Sequence, residues 1–193
     1  MSKKKILVII IVVLVVLFAG LRVLYKKLAG SYETERIAVE ETEENRAEEG
    51  NLSDGKQPAS DFTFCDIDGN EFRLSDFYGK PIVLNFWAEW CGPCLAELPE
   101  FNEKYKELGE DVNFVMVNLI SGGETMESVM EFAEGEGYSF PVYFDKNSSG
   151  VKAYEVYYIP ATYFIDAEGY VAANAVGSLD KGSLEEGIAQ INK

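Results

Sequence analysis

Two cysteines of this chain stand two residues apart. Cys91 and Cys94 lie in the segment NFWAEWCGPCLAELP, residues 85–99, on either side of the dipeptide Gly92-Pro93. Thiols at this spacing could bind a metal, form a structural disulfide or transfer electrons. The elements that carry the pair decide between these three kinds of chemistry.

A helix that starts at the cysteines favours electron transfer. Apolar residues recur at helical spacing and predict a helix from about Pro93 to Leu108. At its N-terminus the Cys91 sulfur would meet unpaired backbone N–H groups and the positive end of the helix dipole, which favour a thiolate. Cys94 would follow one turn later, within reach of a disulfide. The pattern predicts Cys91 as the exposed nucleophile and Cys94 as the thiol that resolves a mixed disulfide.

A zinc site, a structural disulfide and an inert pair of thiols each fit the sequence less well than redox chemistry does. A structural zinc site needs four ligands, whereas the chain offers one further cysteine, Cys65, and no histidine. A structural disulfide between such close residues would remove little chain entropy, and an inert pair does not suit a helix N-terminus. We therefore expect no metal. The lack of histidine also excludes Cys-His dyads and Ser-His-Asp triads.

Strands and helices alternate around the pair. The apolar run PIVLNFW, residues 81–87, predicts a strand buried on both faces just before the cysteines. Alternating residues on either side of an Asp68-Gly69-Asn70 turn predict a β-hairpin over residues 62–74. Further strands are predicted at residues 112–120, 140–145, 161–166 and 169–177, and further helices at 124–137 and 180–191. This order predicts an α/β domain with a mixed central β-sheet flanked by helices.

The charge of the chain is strongly negative and unevenly distributed. The formal net charge is −16 over 193 residues. Residues 1–30 contain six Lys and Arg and no acid, whereas residues 31–193 contain 33 acids against 11 bases. Such an acidic surface repels phosphates, which excludes nucleic acid as a partner.

The N-terminal residues predict a membrane anchor and a linker. After a basic tail at residues 1–5, the chain is apolar from Ile6 to Leu21, and counting on through Leu24, with the Arg22 side chain reaching outward, gives a segment 6–24 of 19 residues, close to the ~20 that cross a bilayer. It is longer than the apolar core of a cleaved signal peptide, which favours an uncleaved signal anchor, a single transmembrane helix. Residues 25–60 are acidic and poor in large apolar groups, and predict a flexible linker to a domain at 61–193. The basic residues that flank the anchor nearly balance, so they do not determine its orientation.

The segment VLNFWAEWCGPCLAELP resembles the active-site segment of the thioredoxin fold, and most of all that of the membrane-anchored TlpA/ResA-type thiol-disulfide oxidoreductases. The stretches FRLSDFYGKPIVLNFW and YYIPATYFIDAEGYV are similar to the same branch, so the resemblance covers residues 58–193. It implies a thioredoxin-like fold with an N-terminal β-hairpin and an inserted helix-strand unit at about residues 124–144. It also implies that Pro160, after Ile159, forms a cis-proline loop facing the disulfide. The redox-active disulfide would then be the only cofactor.

Two polar residues near the cysteines refine this resemblance. Asn85 stands six residues before the first cysteine, where cytosolic thioredoxins carry a buried aspartate, and asparagine cannot take up a proton. Glu97, three residues after Cys94, shares its helix face. Members of the branch carry the same asparagine and, in some cases, the same glutamate. We expect Glu97 to act as acid and base for the buried thiol and to raise the cysteine pKa values by repulsion. The alternative is a solvated helix glutamate.

Three further residues have either a core or a redox interpretation. Trp90, beside the cysteine pair, is expected on the docking surface, and Trp87, on the preceding strand, in the core. Cys65 lies on the first predicted strand and is expected to be a buried, inert thiol. An additional redox or intermolecular partner for Cys65 is the alternative.

The resemblance implies a reductase of protein disulfides whose domain lies outside the cytoplasm. Its partners would be a disulfide-containing protein, with apocytochrome c as the substrate that the branch implies, and a membrane electron donor that re-reduces it. Gly92-Pro93 is the dipeptide of reducing thioredoxins and favours a reductant over a disulfide-inserting oxidant. A peroxiredoxin-type thiol peroxidase is another alternative, but the domain lacks a Pro-x-x-x-Thr-x-x-Cys stretch and has only Arg73 as an arginine past residue 60. A copper or haem chaperone is a third, and the copper type would need a histidine.

Overall fold

The computed structural model describes residues 57–192. The predicted basic tail, the signal anchor at 6–24 and nearly all of the predicted linker lie outside the described residues. Within residues 57–192, no helix combines the length and the apolar character needed to cross a membrane.

Eight strands and four helices make up the described domain. The strands are β1 (Gln57–Pro58), β2 (Thr63–Cys65), β3 (Glu71–Arg73), β4 (Ile82–Trp87), β5 (Asn113–Asn118), β6 (Val142–Phe144), β7 (Ala161–Ile165) and β8 (Tyr170–Val176). The helices are α1 (Gly92–Leu108), α2 (Met126–Gly135), α3 (Ser149–Ala153) and α4 (Lys181–Ile191), and a 3-10 helix covers Leu74–Phe77. Each strand and helix that the sequence predicted over these residues is confirmed, with ends that coincide or differ by at most a few residues.

The strands form one mixed sheet in the order β1-β8-β7-β4-β5-β6-β2-β3. Strands β4, β5 and β6 run parallel, and the remaining pairs run antiparallel. The inserted unit of α2 and β6 therefore extends the parallel part of the sheet. The predicted hairpin of β2 and β3 joins the sheet through β6, where Cys65 pairs with Phe144.

Strand β4 lies near the middle of the sheet, and all six of its residues are buried. Its side chains alternate between two apolar clusters, as the pleat of a strand requires. Val83 and Trp87 pack in the cluster covered by α1, α2 and α4, which includes Leu98. Leu84 and Phe86 pack on the other face, in the cluster that the 3-10 helix and α3 help to cover. The continuous apolar run in the sequence is explained by this burial on both faces.

Strand β1, helix α3 and the 3-10 helix at Leu74–Phe77 are elements that the sequence did not predict. Strand β1 pairs with β8 through Gln57 and Pro58, inside the residues assigned to the linker, so the ordered domain begins earlier than residue 61. Helix α3 has only five residues, too few to show a helical period. The carboxylate of Asp145 accepts the backbone N–H groups of Ser149 and Val151 at 2.8 and 2.9 Å and holds this turn in place.

The contact between α4 and the sheet provides a test of the packing. Gly187 lies so close to Phe164 that an added Cβ would overlap its ring, whereas a Cβ at Gly182 on the same helix would meet only Asp180 Oδ1, at 3.7 Å. Gly187→Ala should lower the free energy of unfolding by about 1–3 kcal/mol through overpacking. Gly182→Ala should leave it unchanged or raise it by up to about 1 kcal/mol, because alanine favours helices. Equilibrium urea unfolding of the oxidised protein measures both, and equal effects of the two variants would contradict this packing.

Candidate active site

The site lies where β4 ends and α1 begins. A tight turn, in which Cys91 N–H donates to the carbonyl of Ala88 at 3.2 Å, connects the two elements. Cys91 is the N-cap residue of α1, and its Sγ accepts the backbone N–H of Cys94 at 3.2 Å. Pro93 occupies the first turn, where a missing N–H is harmless. The predicted position of Cys91 at a helix N-terminus is confirmed.

Cys91 and Cys94 form a disulfide, with their Cα atoms 5.2 Å apart. Cys94 is completely buried, while 5% of Cys91 is exposed. An incoming thiol therefore reaches the sulfur of Cys91 before that of Cys94. This is the order of access that the sequence predicted, although Cys91 is much less exposed in the disulfide form than we expected.

A cis peptide bond joins Ile159 to Pro160, as the resemblance implied. The carbonyl oxygen of Ile159 lies 3.7 Å from Cys91 Sγ, so this loop faces the disulfide directly. The carbonyl of Pro160 accepts the N–H of Gly177 at 2.8 Å, which ties the loop to the end of β8. The loop thus forms the second wall of the site, opposite the start of α1.

Glu97 is fully buried on the inner side of α1. Its Oε1 accepts a hydrogen bond from Asn85 Nδ2 at 2.9 Å, and its Oε2 accepts the backbone N–H of Leu179 at 2.8 Å. Burial raises the pKa of Glu97 to about 7, against the opposing effect of the hydrogen bonds from Leu179 and Asn85. The interpretation as a solvated glutamate is therefore wrong. A carboxyl with this pKa can both accept and return a proton near neutral pH.

Asn85 holds Glu97 from the sheet. Its side chain lies on the same face of β4 as Trp87, toward α1, and its Nδ2 donates also to Thr162 Oγ1 at 3.0 Å. Sequence reasoning missed both Thr162 and the N–H of Leu179. The first follows Pro160 by two residues, which is a weak signal, and the second is a backbone group that residue types cannot reveal.

The structure also shows how far Trp87, Trp90 and Cys65 are exposed. Trp87 is fully buried and packs against Phe132, with ring centroids 6.4 Å apart, as a core residue. Trp90 is 57% exposed, and its expected docking role stays a prediction. Cys65 is buried, and burial raises the pKa of its thiol. It lies on β2, three strands from β4, or roughly 14 Å at the usual strand spacing.

Cys65 is therefore unable to bridge to the Cys91–Cys94 pair. Residues 57–192 contain no cluster of three or more His, Cys, Asp or Glu side chains placed to hold a metal ion.

Thiol–disulfide exchange is the chemistry open to this arrangement, and the class of protein that it defines is the thioredoxin-like thiol-disulfide oxidoreductases. One sulfur lies at the helix start, where 5% of Cys91 is exposed, a second is completely buried one turn behind it, and a carboxyl with a pKa of about 7 lies further along the same helix. Thiol–disulfide exchange needs one sulfur at an accessible position and a second thiol within reach of it, and the arrangement meets both requirements.

The chain belongs to the AhpC/TSA family, whose family model matches residues 56–174. A curated relative is the thiol-disulfide oxidoreductase ResA of Geobacillus kaustophilus, 40% identical over 136 residues that cover 69% of this chain and 75% of ResA.

Solved structures of related proteins share the fold. A putative thiol:disulfide interchange protein DsbE from Chlorobium tepidum is 31% identical, with a TM-score of 0.63 over 71% of this chain and 97% of its own. The exposed lipoprotein thioredoxin of Streptococcus pneumoniae is 35% identical, with a TM-score of 0.56 over 65% of this chain and 96% of its own.

The raised pKa of Glu97 predicts how stability changes with pH. The unfolded chain loses this proton near pH 4.5 and the folded protein near pH 7. Between these values the folded state binds more protons, so its stability falls as pH rises, by about 3 kcal/mol in total from this group. Glu97→Gln should remove that loss, whereas Glu100→Gln on the same helix should retain it.

Urea unfolding of the disulfide form at pH 5 and pH 8 measures this effect, because Cys91 and Cys94 do not titrate in that form. A Glu97→Gln variant that loses as much stability as the parent between the two pH values would show that Glu97 titrates normally.

Proposed function

We propose that this protein reduces disulfide bonds of protein substrates outside the cytoplasm. The observation that carries the proposal is the Cys91–Cys94 disulfide at the start of α1, with Glu97 buried on the same helix. In the dithiol form, the Cys91 thiolate attacks one sulfur of the substrate disulfide and forms a mixed disulfide, and the other substrate sulfur leaves as a thiolate. The helix N-terminus stabilises the attacking thiolate.

The second step uses Glu97 as the base. The Cys94 thiol gives its proton to the carboxylate of Glu97 and attacks the Cys91 sulfur, so that the second substrate sulfur leaves as a thiolate. Two electrons have then passed to the substrate, and the protein is left with the Cys91–Cys94 disulfide. The protonated Glu97 can return its proton when a donor later reduces that disulfide.

The rim of the site supports a polypeptide substrate. Large side chains next to Cys91 and next to the cis-proline loop are exposed to solvent: Trp90 by 57%, Tyr157 by 80%, Tyr158 by 77% and Val176 by 62%. The two tyrosines directly precede the cis-proline loop, and Val176 pairs with Ala161, which directly follows it. Exposed aromatic residues of this kind favour contact with another protein. Sequence reasoning missed Tyr157, Tyr158 and Val176.

The direction of electron flow is part of the proposal. Gly92 and Pro93 stand between the cysteines, as in reducing thioredoxins, and both are exposed at the site. A disulfide-inserting oxidant would use the same sulfurs with the electrons moving the other way. A thiol peroxidase is less favoured, because the only arginine of the described domain, Arg73, is paired with Asp61 at 2.6 Å rather than with a cysteine.

The location outside the cytoplasm rests on the family resemblance and on one relative, whereas the N-terminal sequence supports the membrane anchor but not its orientation. Residues 6–24 form a 19-residue segment that is apolar except for Arg22 and would anchor the chain in the membrane. The similar thioredoxin of Streptococcus pneumoniae is described as an exposed lipoprotein. An anchored domain outside the cytoplasm needs an electron donor in the membrane. Apocytochrome c is a candidate substrate.

The midpoint potential of the Cys91–Cys94 pair tests the direction. We expect a value near thioredoxin's, about −270 mV, measured by equilibration of the full chain with glutathione or dithiothreitol buffers. A value near about −120 mV, that of a strong oxidant, would reverse the proposed electron flow.

Trapping tests the division of roles between the two cysteines. Cys94→Ser should accumulate a mixed disulfide between Cys91 and insulin, because the resolving thiol is absent. Cys91→Ser should form no such adduct, and Cys65→Ser should behave like the parent chain. Non-reducing electrophoresis shows the adduct, and trapping by the Cys91→Ser variant instead would exchange the assigned roles.

A further inference from the structure

The exposed indole of Trp90 is held in one position. Its Nε1–H donates to the carbonyl oxygen of Ser121 at 3.1 Å and contacts Ser121 Oγ at 3.2 Å. An exposed tryptophan would otherwise move between rotamers, and a partner that packs on it would have to restrict that motion. Trp90 is instead arranged before any substrate arrives.

Gly122 lies directly against the same ring. Its φ is +69°, and a Cβ added to it would lie 2.7 Å from Trp90 Cδ1 and 2.8 Å from Nε1. No real side chain fits at those distances, so only glycine lets the backbone approach the indole this closely. The neighbouring Gly123 also has a positive φ, +96°, but a Cβ there would have no atom within 4 Å.

Glu124 connects this loop to the turn that carries Trp90. One of its carboxylate oxygens accepts the backbone N–H of Glu89, and the other accepts the N–H of Ser121 at 3.3 Å. Glu89 precedes Trp90, so a single carboxylate fixes both the backbone beside the indole and the residue that binds the indole nitrogen.

The loop itself is anchored at both ends. At its start, Asn118 Oδ1 accepts the N–H of Ile120 at 2.7 Å. At its end, Thr125 caps α2, exchanging hydrogen bonds of 3.0 and 3.1 Å with Ser128. The position of Trp90 is therefore set by the β5–α2 connection, which leads into the inserted unit.

We propose that Ser121, Gly122 and Glu124, here called the Trp90 clamp, set the affinity for protein substrates by fixing the indole beside the disulfide. They are positioning residues, because they act through Trp90 and do not touch the reacting sulfurs. This inference rests on the proposed function. It predicts that disturbing the clamp weakens the reduction of a protein disulfide and leaves the intrinsic reactivity of the dithiol unchanged.

Alanine at the two neighbouring glycines provides the test. Gly122→Ala and Gly123→Ala both place a side chain at a positive φ, so both strain the loop, but only the first displaces Trp90. With dithiothreitol as donor, Gly122→Ala should lower kcat/KM for insulin roughly two- to tenfold, mainly through KM. Gly123→Ala should match the parent. The reaction of each reduced protein with 5,5′-dithiobis(2-nitrobenzoate), which is too small to need the indole, should be unchanged.

A double-mutant cycle with Trp90 and substitutions of Glu124 test the clamp without relying on Gly122→Ala alone. In a Trp90→Phe background, Gly122→Ala should have no further effect on insulin reduction, because the clamped group is gone. Glu124→Ala should resemble Gly122→Ala, and Glu124→Gln, which keeps one acceptor oxygen, should lose less. If Gly122→Ala does not fold, the Glu124 variants decide the question.

The outcomes separate the two proposals. Equal insulin kinetics of Gly122→Ala and Gly123→Ala, with Glu124→Ala also at the parent value, would contradict the clamp alone. A parent chain that reacts with 5,5′-dithiobis(2-nitrobenzoate) but never reduces insulin would contradict the proposed function, and the clamp with it.

Discussion

The complete burial of β4 is the constraint on which the site depends. Because both faces of this strand are covered, its direction and register are fixed by packing on each side. The chain leaves the sheet at Trp87 and must turn into α1 within a few residues, which places Cys91 at the helix N-terminus. The face of β4 that is turned toward α1 carries Asn85, whose side chain contacts Glu97. One buried strand thus positions Cys91 and supports the carboxyl of Glu97.

Two buried carboxyl groups of this domain, those of Asp145 and Glu97, have different hydrogen-bond partners. Asp145 accepts several hydrogen bonds from the loop that starts α3 and holds a turn in place. Glu97 accepts two, and burial outweighs them, so its pKa is raised to about 7. A buried carboxylate with few hydrogen bonds and no positively charged partner lowers the free energy of unfolding. Such a cost is common where a group has to exchange protons.

Local patterns in the sequence predicted what depends on local geometry. Cys91 and Cys94 were recognisable by their spacing, and β4 by its apolar run, since both signals are confined to a few neighbouring residues. The contacts that complete the site come from distant parts of the chain. Leu179 reaches Glu97 across 82 residues and Ser121 reaches Trp90 across 31, and neither residue type points to its partner. Short elements such as β1 and α3 carry too few residues to show a period.

The isolation of Cys65 governs which disulfides the folded domain can form. Three cysteines allow three different pairings, and exchange among them would let the active-site disulfide isomerise during turnover. Burial on β2, three strands from the site, leaves one pairing accessible in the folded state. In the proposed reaction, a mixed disulfide on Cys91 can therefore be resolved within the domain by Cys94 alone. Because the sheet separates Cys65 from the site, the Cys65 thiol cannot attack the mixed disulfide on Cys91.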